Sequence, residues 1–274
     1  SLVNNDSLGL WVIADGVGGN AHGDVASQLA VQTIERSVRQ GTDLSTALIK
    51  ANDVIKSASL KQHDLTGMAT TVVACLFHGH QFELAWVGDS RAYLIDSNGI
   101  YQLTSDHNRA NQLLEFGEIE AHEFRHHEGQ HELTQALGQM SLERIPKNLG
   151  ELHEGDFLLL CTDGLTGVLT DDAIFQVVHE SKSIESAAEL LLSQVLEGGA
   201  PDNVTFSLIQ FCEEESKIKA SDFKSVHQFA NSKLLQAKNY RRPFDQKAYL
   251  KHCKKRPVLL GLIVVAISFL LFFL

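Results

Sequence analysis

The stretch that decides the fold is "WVIADGVGGN", residues 11–20, where an apolar run stops at Asp15 and glycines follow. The residues before Asp15, "LGLWVIA", have the composition of a buried strand. A strand that ends on a carboxylate and a flexible turn either places a charged group in a cleft or simply changes the direction of the chain. One stretch cannot distinguish these two interpretations, so the rest of the chain has to.

The same pattern returns at three other aspartates. Asp89 ends "ELAWVGD", Asp163 ends "DFLLLCTD", and Asp202 lies in "GGAPDN" just before the last apolar run. A buried carboxylate is costly unless it is paired or metal-bound. Mg²⁺ and Mn²⁺ take carboxylate and carbonyl oxygens, and two such ions about 3.5–4 Å apart can activate a bridging water. Each aspartate could instead cap a turn or a helix, but four at strand ends favour a shared divalent metal centre.

The charge of the chain is unevenly distributed. Its 274 residues are 44% hydrophobic, enough for a sizeable core, and the net charge of −11 argues against nucleic acid as the main partner. Residues 217–256 contain 12 Lys/Arg and two acids, whereas residues 1–212 contain 11 Lys/Arg and 29 acids. The start of the chain has no signal-peptide pattern. The cysteines have no metal-type spacing and are interpreted as core residues of a reducing compartment: Cys75, Cys161, Cys212 and Cys253.

The C-terminal stretch 257–274, "PVLLGLIVVAISFLLFFL", carries no charged residue. As a helix, the part after the proline would be about 25 Å long, slightly short of a hydrocarbon core of about 30 Å. The basic residues of 251–256, "KHCKKR", are typical of a cytoplasmic flank. We therefore predict a single-pass transmembrane helix that holds the preceding domain on the cytoplasmic side. A buried helix, or part of a larger structure, is the alternative.

Hydrophobic periodicity predicts one mixed α and β domain in residues 1–212, followed by a basic juxtamembrane linker, residues 213–256. Helical spacing indicates four helices, the second with Asp43 as N-cap, over residues 24–40, 43–60, 171–179 and 183–197. Apolar or alternating runs indicate strands over residues 8–14, 70–77, 81–89, 91–96, 156–163 and 203–211. Asn98-Gly99 predicts a hairpin, and residues 108–132 are interpreted as polar and irregular.

Seven motifs in this order resemble the metal-dependent protein phosphatase 2C (PPM) family, bacterial type: "ADGVGGN", "GMATT", "VGDSRAY", "LTSDHN", "LTQALG", "LLCTDGL" and "PDNVT". The match covers residues 8–211. The resemblance implies an α+β fold, a four-layer αββα sandwich of two antiparallel sheets flanked by helices. It also implies a serine/threonine phosphatase with two Mn²⁺ or Mg²⁺ ions and a third ion site.

The resemblance also implies a role for each aspartate. Asp15 would bridge both metals, Gly16 would give its backbone carbonyl to one, and Asp163 and Asp202 would hold the other. Asp89, with Asp163, resembles the third-metal site of bacterial members. A metal-bridging water would attack phosphorus in line, with the seryl or threonyl oxygen leaving. The implied partners are phosphorylated proteins, the substrates of a bacterial Ser/Thr kinase.

The sequence departs from the family pattern in three places. An upstream Arg and an Asn-Glu-Asp motif are expected before Asp15, and "NND" at 4–6 is too close to serve, so we expect the domain to be N-terminally incomplete or a variant. Val17 stands where eukaryotic members have His, and Gln135 where Arg is usual. The rival hypothesis is therefore a catalytically weak or inactive domain that binds or regulates phosphoproteins.

Three other candidates have two interpretations each. Four histidines could bind a metal: His122, His126, His127 and His131. By position, however, the loop 108–132 that contains them resembles the flap of the family, a substrate-facing loop. We prefer this second interpretation. Arg91 could bind phosphate, but we favour an arginine that neutralises nearby acids. Thr70 and Thr71 are interpreted as a β-branched start of a strand.

Overall fold

Two five-stranded antiparallel sheets face each other in the computed structural model, which describes residues 1–17, 22–124, 127–139, 142, 144–200, 202–211 and 262–269. The first sheet has the strand order β1 (Leu2–Asn5), β2 (Leu10–Ile13), β5 (Val72–His78), β6 (Gln81–Val87), β9 (Lys147–Glu151). The second has the order β12 (Leu262–Phe269), β11 (Val204–Phe211), β10 (Phe157–Cys161), β7 (Arg91–Asp96), β8 (Gly99–Gln102). A small third pair joins β3 (Gly16–Val17) to β4 (Ala69–Thr70).

Helices cover the outer faces of both sheets. The long ones are α1 (Gly23–Arg39) and α2 (Leu44–Lys61) on the first sheet, and α6 (Asp171–Glu180) and α7 (Ile184–Glu197) on the second. The short ones lie in the connections: α3 (Arg109–Glu115), α4 (Ala121–Phe124), α5 (Asp163–Thr166) and the 3₁₀ turns His63–Leu65 and Glu128–His131. Asp43 caps α2 as predicted, since it accepts a hydrogen bond from the Thr46 amide at 3.0 Å.

Three hydrophobic clusters hold the layers together. The strand β5 shows why, because its side chains alternate between two apolar environments. Val73 and Cys75 pack in the cluster between the sheets, whereas Val72 and Ala74 pack against α1 and α2. The third cluster joins the second sheet to α6 and α7. The predicted four-layer αββα sandwich is therefore confirmed.

Several sequence-based boundaries needed correction. The strands β1 and β9 and the helix α3 were not predicted, because their sequences are polar and their residues are largely half-buried. The motif "NND" belongs to β1 and to the turn that leads into β2, so it is part of a hairpin. The predicted Asn98-Gly99 hairpin joins β7 to β8.

Burial raises the pKa of the free thiols of Cys75 and Cys161, as expected of core cysteines. The other two cysteines lie outside the described residues.

The C-terminal segment differs from its prediction. Eight residues of the predicted transmembrane helix 257–274 form β12, which pairs antiparallel with β11 from Val204↔Phe269 to Phe211↔Leu262. An uninterrupted apolar run has no periodicity that separates a strand from a helix, and four of these eight residues are β-branched, which favours a strand. The remaining residues of the predicted helix lie outside the described residues. Across the described ranges, every helix is either too short or too polar to cross a bilayer.

Candidate metal centre

The sheet topology brings the four aspartates to one edge of the sandwich. The strands β2 and β6 run in the same direction, since both are antiparallel to β5, so Asp15 and Asp89 follow strands that end at the same edge. In the second sheet, β10 ends where β7 and β11 begin, with Cys161 opposite Arg91 and Phe206. Asp163 after β10 and Asp202 before β11 therefore lie at that edge too.

The carboxylates act on one another electrostatically. The pKa of Asp15 is raised to about 8 by desolvation and by the negative charges of Asp163 and Asp202. Desolvation, together with the charges of Asp163, Asp106 and Asp15, raises the pKa of Asp89 well above its usual value. Like charges held this close disfavour ionisation unless a cation compensates them. The predicted site residues therefore share one acidic cluster, and their roles as ligands stay a prediction.

The chemistry of the cluster fits hard divalent cations. Among the described residues, no three His, Cys, Asp or Glu side chains close around one point as the ligands of a bound ion would. The donors available at the edge are nevertheless carboxylates and backbone carbonyls, the set that Mg²⁺ and Mn²⁺ prefer. Four mutually repelling carboxylates also give a cation a direct electrostatic role.

The backbone at Asp15 is fixed from the strand connection opposite. The Thr70 hydroxyl donates to the Asp15 carbonyl at 2.6 Å, and the Thr71 amide donates to the same oxygen at 2.8 Å. Gly16 lies against the backbone of Gly23, which a Cβ at position 16 would overlap. The threonines therefore support the site, a role that the interpretation as a β-branched strand start missed. Their place in the motif "GMATT" was the available signal.

Asp163 and Asp202 are tied together by Thr162. The Thr162 hydroxyl donates to the Asn203 carbonyl at 3.1 Å and accepts from the Thr205 amide at 3.1 Å. Gly164 also approaches the Asn203 carbonyl so closely that a Cβ would overlap it. The turn after β10 and the residues before β11 are thus held side by side, with one carboxylate on each.

Asp89 lies in the tight turn between β6 and β7. Gly88 before it has φ of +103°, a left-handed conformation in which glycine avoids strain. A Cβ at this position would also contact the Thr71 side chain at 2.6 Å. Ser90 after it shares a hydroxyl hydrogen bond of 2.7 Å with Thr71. This turn crosses from the first sheet to the second, so it places Asp89 between them.

Arg91 is committed to another carboxylate. Its guanidinium donates to both oxygens of Asp106, with Nη2 to Oδ2 at 2.7 Å, and to the Tyr93 hydroxyl at 3.0 Å. All three side chains are buried, and the charge of Asp106 helps to raise the pKa of Arg91 well above its usual value, against its desolvation. The prediction of an arginine that neutralises nearby acids fits this geometry, whereas a free phosphate ligand does not.

The flap contributes side chains beside the cluster. Gln130 and His131, in the second 3₁₀ turn, line a small pocket together with Asp89 and Asp163. His127 caps that turn by accepting from the Gly129 amide at 3.0 Å. His122 is exposed and pairs with Glu120 at 3.3 Å. These contacts favour a substrate-facing loop over a histidine metal site; His126 lies outside the described residues.

Comparison with known proteins identifies the family of the chain. A sequence model of the protein phosphatase 2C family matches residues 2–198. The serine/threonine phosphatase stp of Listeria welshimeri is 32% identical over 217 residues, which cover 76% of this chain and 86% of stp. The serine/threonine protein phosphatase PstP of Mycobacterium tuberculosis is 35% identical over 202 residues, 72% of this chain and 39% of PstP.

A solved structure extends the likeness to three dimensions. The catalytic domain of PstP in complex with two manganese ions superposes with a TM-score of 0.65 at 31% identity, over 75% of this chain and 88% of that domain. The resemblance predicted from seven short motifs is thereby confirmed. The fold, the order of the motifs and the relatives agree, and the chain belongs to the protein phosphatase 2C family of serine/threonine phosphatases.

Proposed function

We propose that this phosphatase hydrolyses phosphoserine and phosphothreonine in proteins with Mn²⁺ or Mg²⁺ ions held at its acidic edge. The observation that carries the proposal is the convergence of Asp15, Asp89, Asp163 and Asp202 from both sheets. A substrate phosphate is an anion and would be repelled by bare carboxylates, so the cluster needs bound cations to accept it. The two manganese ions of the PstP catalytic domain support a binuclear centre.

The ligand roles follow the motif positions. Asp15 would contact both ions, with the carbonyl of Gly16 on one and with Asp163 and Asp202 on the other. Asp89 would share a third ion with Asp163. The backbone approach at Gly16 and the pairing of the Asp163 and Asp202 segments through Thr162 support these roles.

When bound, the ions lower the pKa of a water molecule so that it can attack phosphorus near neutral pH. The chain's own contribution is to hold the carboxylates in place. Thr70 and Thr71 fix the backbone of Asp15, and Thr162 fixes the two segments of the second sheet. This rigidity matters, because a displacement of about 1 Å in an active site can cost about 100-fold in rate.

The rival function is a domain that binds phosphoproteins without turnover. Two departures from the family pattern favour this alternative: Gln135 stands where Arg is usual, and Val17 stands where the eukaryotic members carry His. It predicts metal binding and phosphopeptide binding but no release of phosphate. The proposed enzyme instead releases phosphate in proportion to the occupancy of its metal sites, so turnover distinguishes the two functions.

The test is the substitution Asp163→Asn, which removes one charge from the cluster. The protein should hydrolyse p-nitrophenyl phosphate and a phosphothreonine peptide with Mn²⁺, and EDTA should abolish both activities. We expect Asp163→Asn to lower kcat by orders of magnitude. Asp172→Asn, the same change at an exposed position of α6, should not. Turnover in EDTA, or wild-type turnover by Asp163→Asn, would rule out the metal mechanism.

The proposed substrates are phosphoproteins made by a bacterial Ser/Thr kinase. A kinase and a phosphatase that act on the same proteins would form a reversible switch. Quantitative phosphoproteomics of cells with and without the phosphatase gene tests this proposal. Phosphothreonine and phosphoserine sites should rise in the deletion strain, whereas phosphotyrosine sites should stay constant.

The proposed location is the cytoplasmic face of a membrane, with residues 257–274 as the anchor. The uncharged length of this segment and the cations Lys254, Lys255 and Arg256 before it support the proposal. It requires residues 262–269 to leave their pairing with β11, because they cannot be a strand and a membrane helix at once.

Deletion of residues 257–274 tests the location. In a cell fractionation, the full chain should sediment with membranes and the truncated chain should move to the soluble fraction. If both chains are soluble, residues 257–274 do not act as a membrane anchor. A reporter fused before residue 213 that is found outside the cytoplasm would contradict the orientation.

A further inference from the structure

The turn that carries Asp89 is held by two consecutive residues of a distant segment. On one side of Asp89, the His107 amide donates to the Gly88 carbonyl at 2.9 Å, and the Gly88 amide donates to His107 Nδ1 at 3.1 Å. On the other side, Arg91 is bound by both oxygens of Asp106. Asp106 and His107 therefore hold Arg91 and Gly88, which lie on either side of Asp89.

The His107 ring is itself fixed. It stacks on Trp86 with a centroid distance of 6.5 Å and an angle of 23° between the rings. Desolvation lowers the pKa of His107, which favours the neutral ring that can accept a hydrogen bond. Trp86 in turn donates from its indole nitrogen to the Ser105 carbonyl at 2.8 Å. The turn, the ring and the segment thus form one connected unit.

Residues 107–109 of the same segment also pair with residues 132–134, at the base of the flap. The Thr134 amide donates to the His107 carbonyl at 2.8 Å, and the Arg109 amide donates to the Glu132 carbonyl at 2.9 Å. Asn108 and Leu133 form an isolated antiparallel bridge between these bonds. Backbone hydrogen bonds thus join residues 107–109 to residues 132–134 at the base of the flap. The turn of Asp89, in contrast, is joined to Asp106 and to the His107 ring largely by side chains.

We propose that Asp106 and His107 are positioning residues that hold Asp89 in place for the third metal site, which we expect to bind its ion more weakly than the other two sites. The inference rests on the proposed function, since it assigns Asp89 to a metal. His107 holds Gly88, directly before Asp89, and Asp106 holds Arg91, two residues after it, so a change at either residue would displace the carboxylate of Asp89.

The cleanest test is His107→Phe, which keeps a ring beside Trp86 and removes only the Nδ1 acceptor. In metal-free protein, the Gly88 amide should exchange with solvent faster than in the wild type, as followed by NMR. By calorimetry, Mn²⁺ should bind about fivefold more weakly at the weak site, as expected for one lost hydrogen bond. The tight sites should keep their affinity.

Two further variants make the test specific. His107→Asn keeps an oxygen near the position of Nδ1 and should restore both the Gly88 exchange rate and the weak-site affinity. His179→Phe replaces a histidine that stacks on Phe175 at 5.3 Å in α6, and it should change neither measurement. His107→Leu replaces His107→Phe if a thermal melt shows that the latter does not fold.

The outcomes separate this inference from the proposed function. Unchanged Gly88 exchange, or unchanged weak-site affinity, in a folded His107→Phe variant would overturn the positioning role. If the wild type binds no Mn²⁺, the proposed metal function fails, and a positioning role at a metal site fails with it. The exchange measurement then still reports whether His107 holds the turn.

Discussion

Asp15 and Asp89 lie at the same edge of the sandwich but are supported in different ways. The carbonyl of Asp15 receives two hydrogen bonds from Thr70 and Thr71, in the strand connection beside it. The turn of Asp89 shares a Ser90–Thr71 hydroxyl bond with this connection, but it is also held by His107 and by the ion pair between Arg91 and Asp106. His107 in turn pairs with Thr134 at the base of the flap. The Asp15 segment is thus held within the sheets, whereas the turn of Asp89 is also linked to the loop that contains the flap.

The difference indicates how rigid each ligand is. The backbone hydrogen bond from the Thr71 amide lies at the start of a buried strand and opens only when the sheet opens, so Asp15 should keep its place throughout catalysis. Contacts to a loop respond to what the loop binds. A permanent binuclear centre beside an adjustable third site is the arrangement that this comparison suggests.

Among the variants that test this comparison, the largest effect is expected from Gly16→Ala. The added Cβ would overlap the backbone of Gly23, so the Asp15 segment must move. We expect a loss of about 100-fold or more in kcat, since about 1 Å of displacement is enough for that. Steady-state kinetics with p-nitrophenyl phosphate measures the loss.

The matched control is Gly41→Ala. Gly41 has φ of +81° and open space around its Cα, so alanine there adds backbone strain of about 1–2 kcal/mol without touching the site. Its kcat should stay near the wild-type value. An equal loss in both variants would mean that general destabilisation, rather than displacement of Asp15, is responsible.

A smaller and conditional effect is expected from Asp89→Ala. The variant should keep two tightly bound Mn²⁺ ions in calorimetry and lose activity mainly when Mn²⁺ is limiting. The reason is that the turn of Asp89 is held mainly by His107 and Asp106, whereas the carbonyl of Asp15 is held by Thr70 and Thr71. If all metal binding disappears, Asp89 is a primary ligand and the comparison with Asp15 fails.

The smallest effect is expected from Thr70→Val. Valine keeps the shape of the side chain but cannot donate to the Asp15 carbonyl, while the Thr71 amide still does. We expect kcat/KM to fall about fivefold, as for one hydrogen bond of about 1 kcal/mol. Thr70→Ser retains the hydroxyl and should behave like the wild type. A loss above 100-fold would mean that the Thr71 bond does not hold Asp15 alone.

The sequence predicted those parts of the molecule that have strong local patterns. The strands that precede Asp15, Asp89 and Asp163 are apolar runs with abrupt ends, and the long helices have clear periodicity. Because these elements frame the acidic edge, the four aspartates and the layer order could be predicted together. The roles of Thr70 and Thr71 were missed, because local patterning does not report contacts between residues that are 55 or more positions apart.

The missed elements have weak local signals for physical reasons. The first strand, "LVNN", and "KNLGE" at 147–151 form the edges of their sheet, where half-exposed polar residues are tolerated. The helix after Asn108 is only seven residues long, and its main sequence signal is that capping residue. At 262–269, hydrophobicity alone fits both a strand and a membrane helix.

The origin of the carboxylates in two sheets has a thermodynamic consequence. Asp15 follows a strand of the first sheet, while Asp163 and Asp202 flank strands of the second. On the proposed ligand set, the ion held by Asp15, Asp163 and Asp202 would act as a removable cross-link across the sandwich, and only the folded chain could provide all its ligands. At a free Mn²⁺ concentration 100 times the Kd, such an ion adds about 2.7 kcal/mol to the free energy of unfolding. The metal supply of the cell would then set the lifetime of the enzyme as well as its activity.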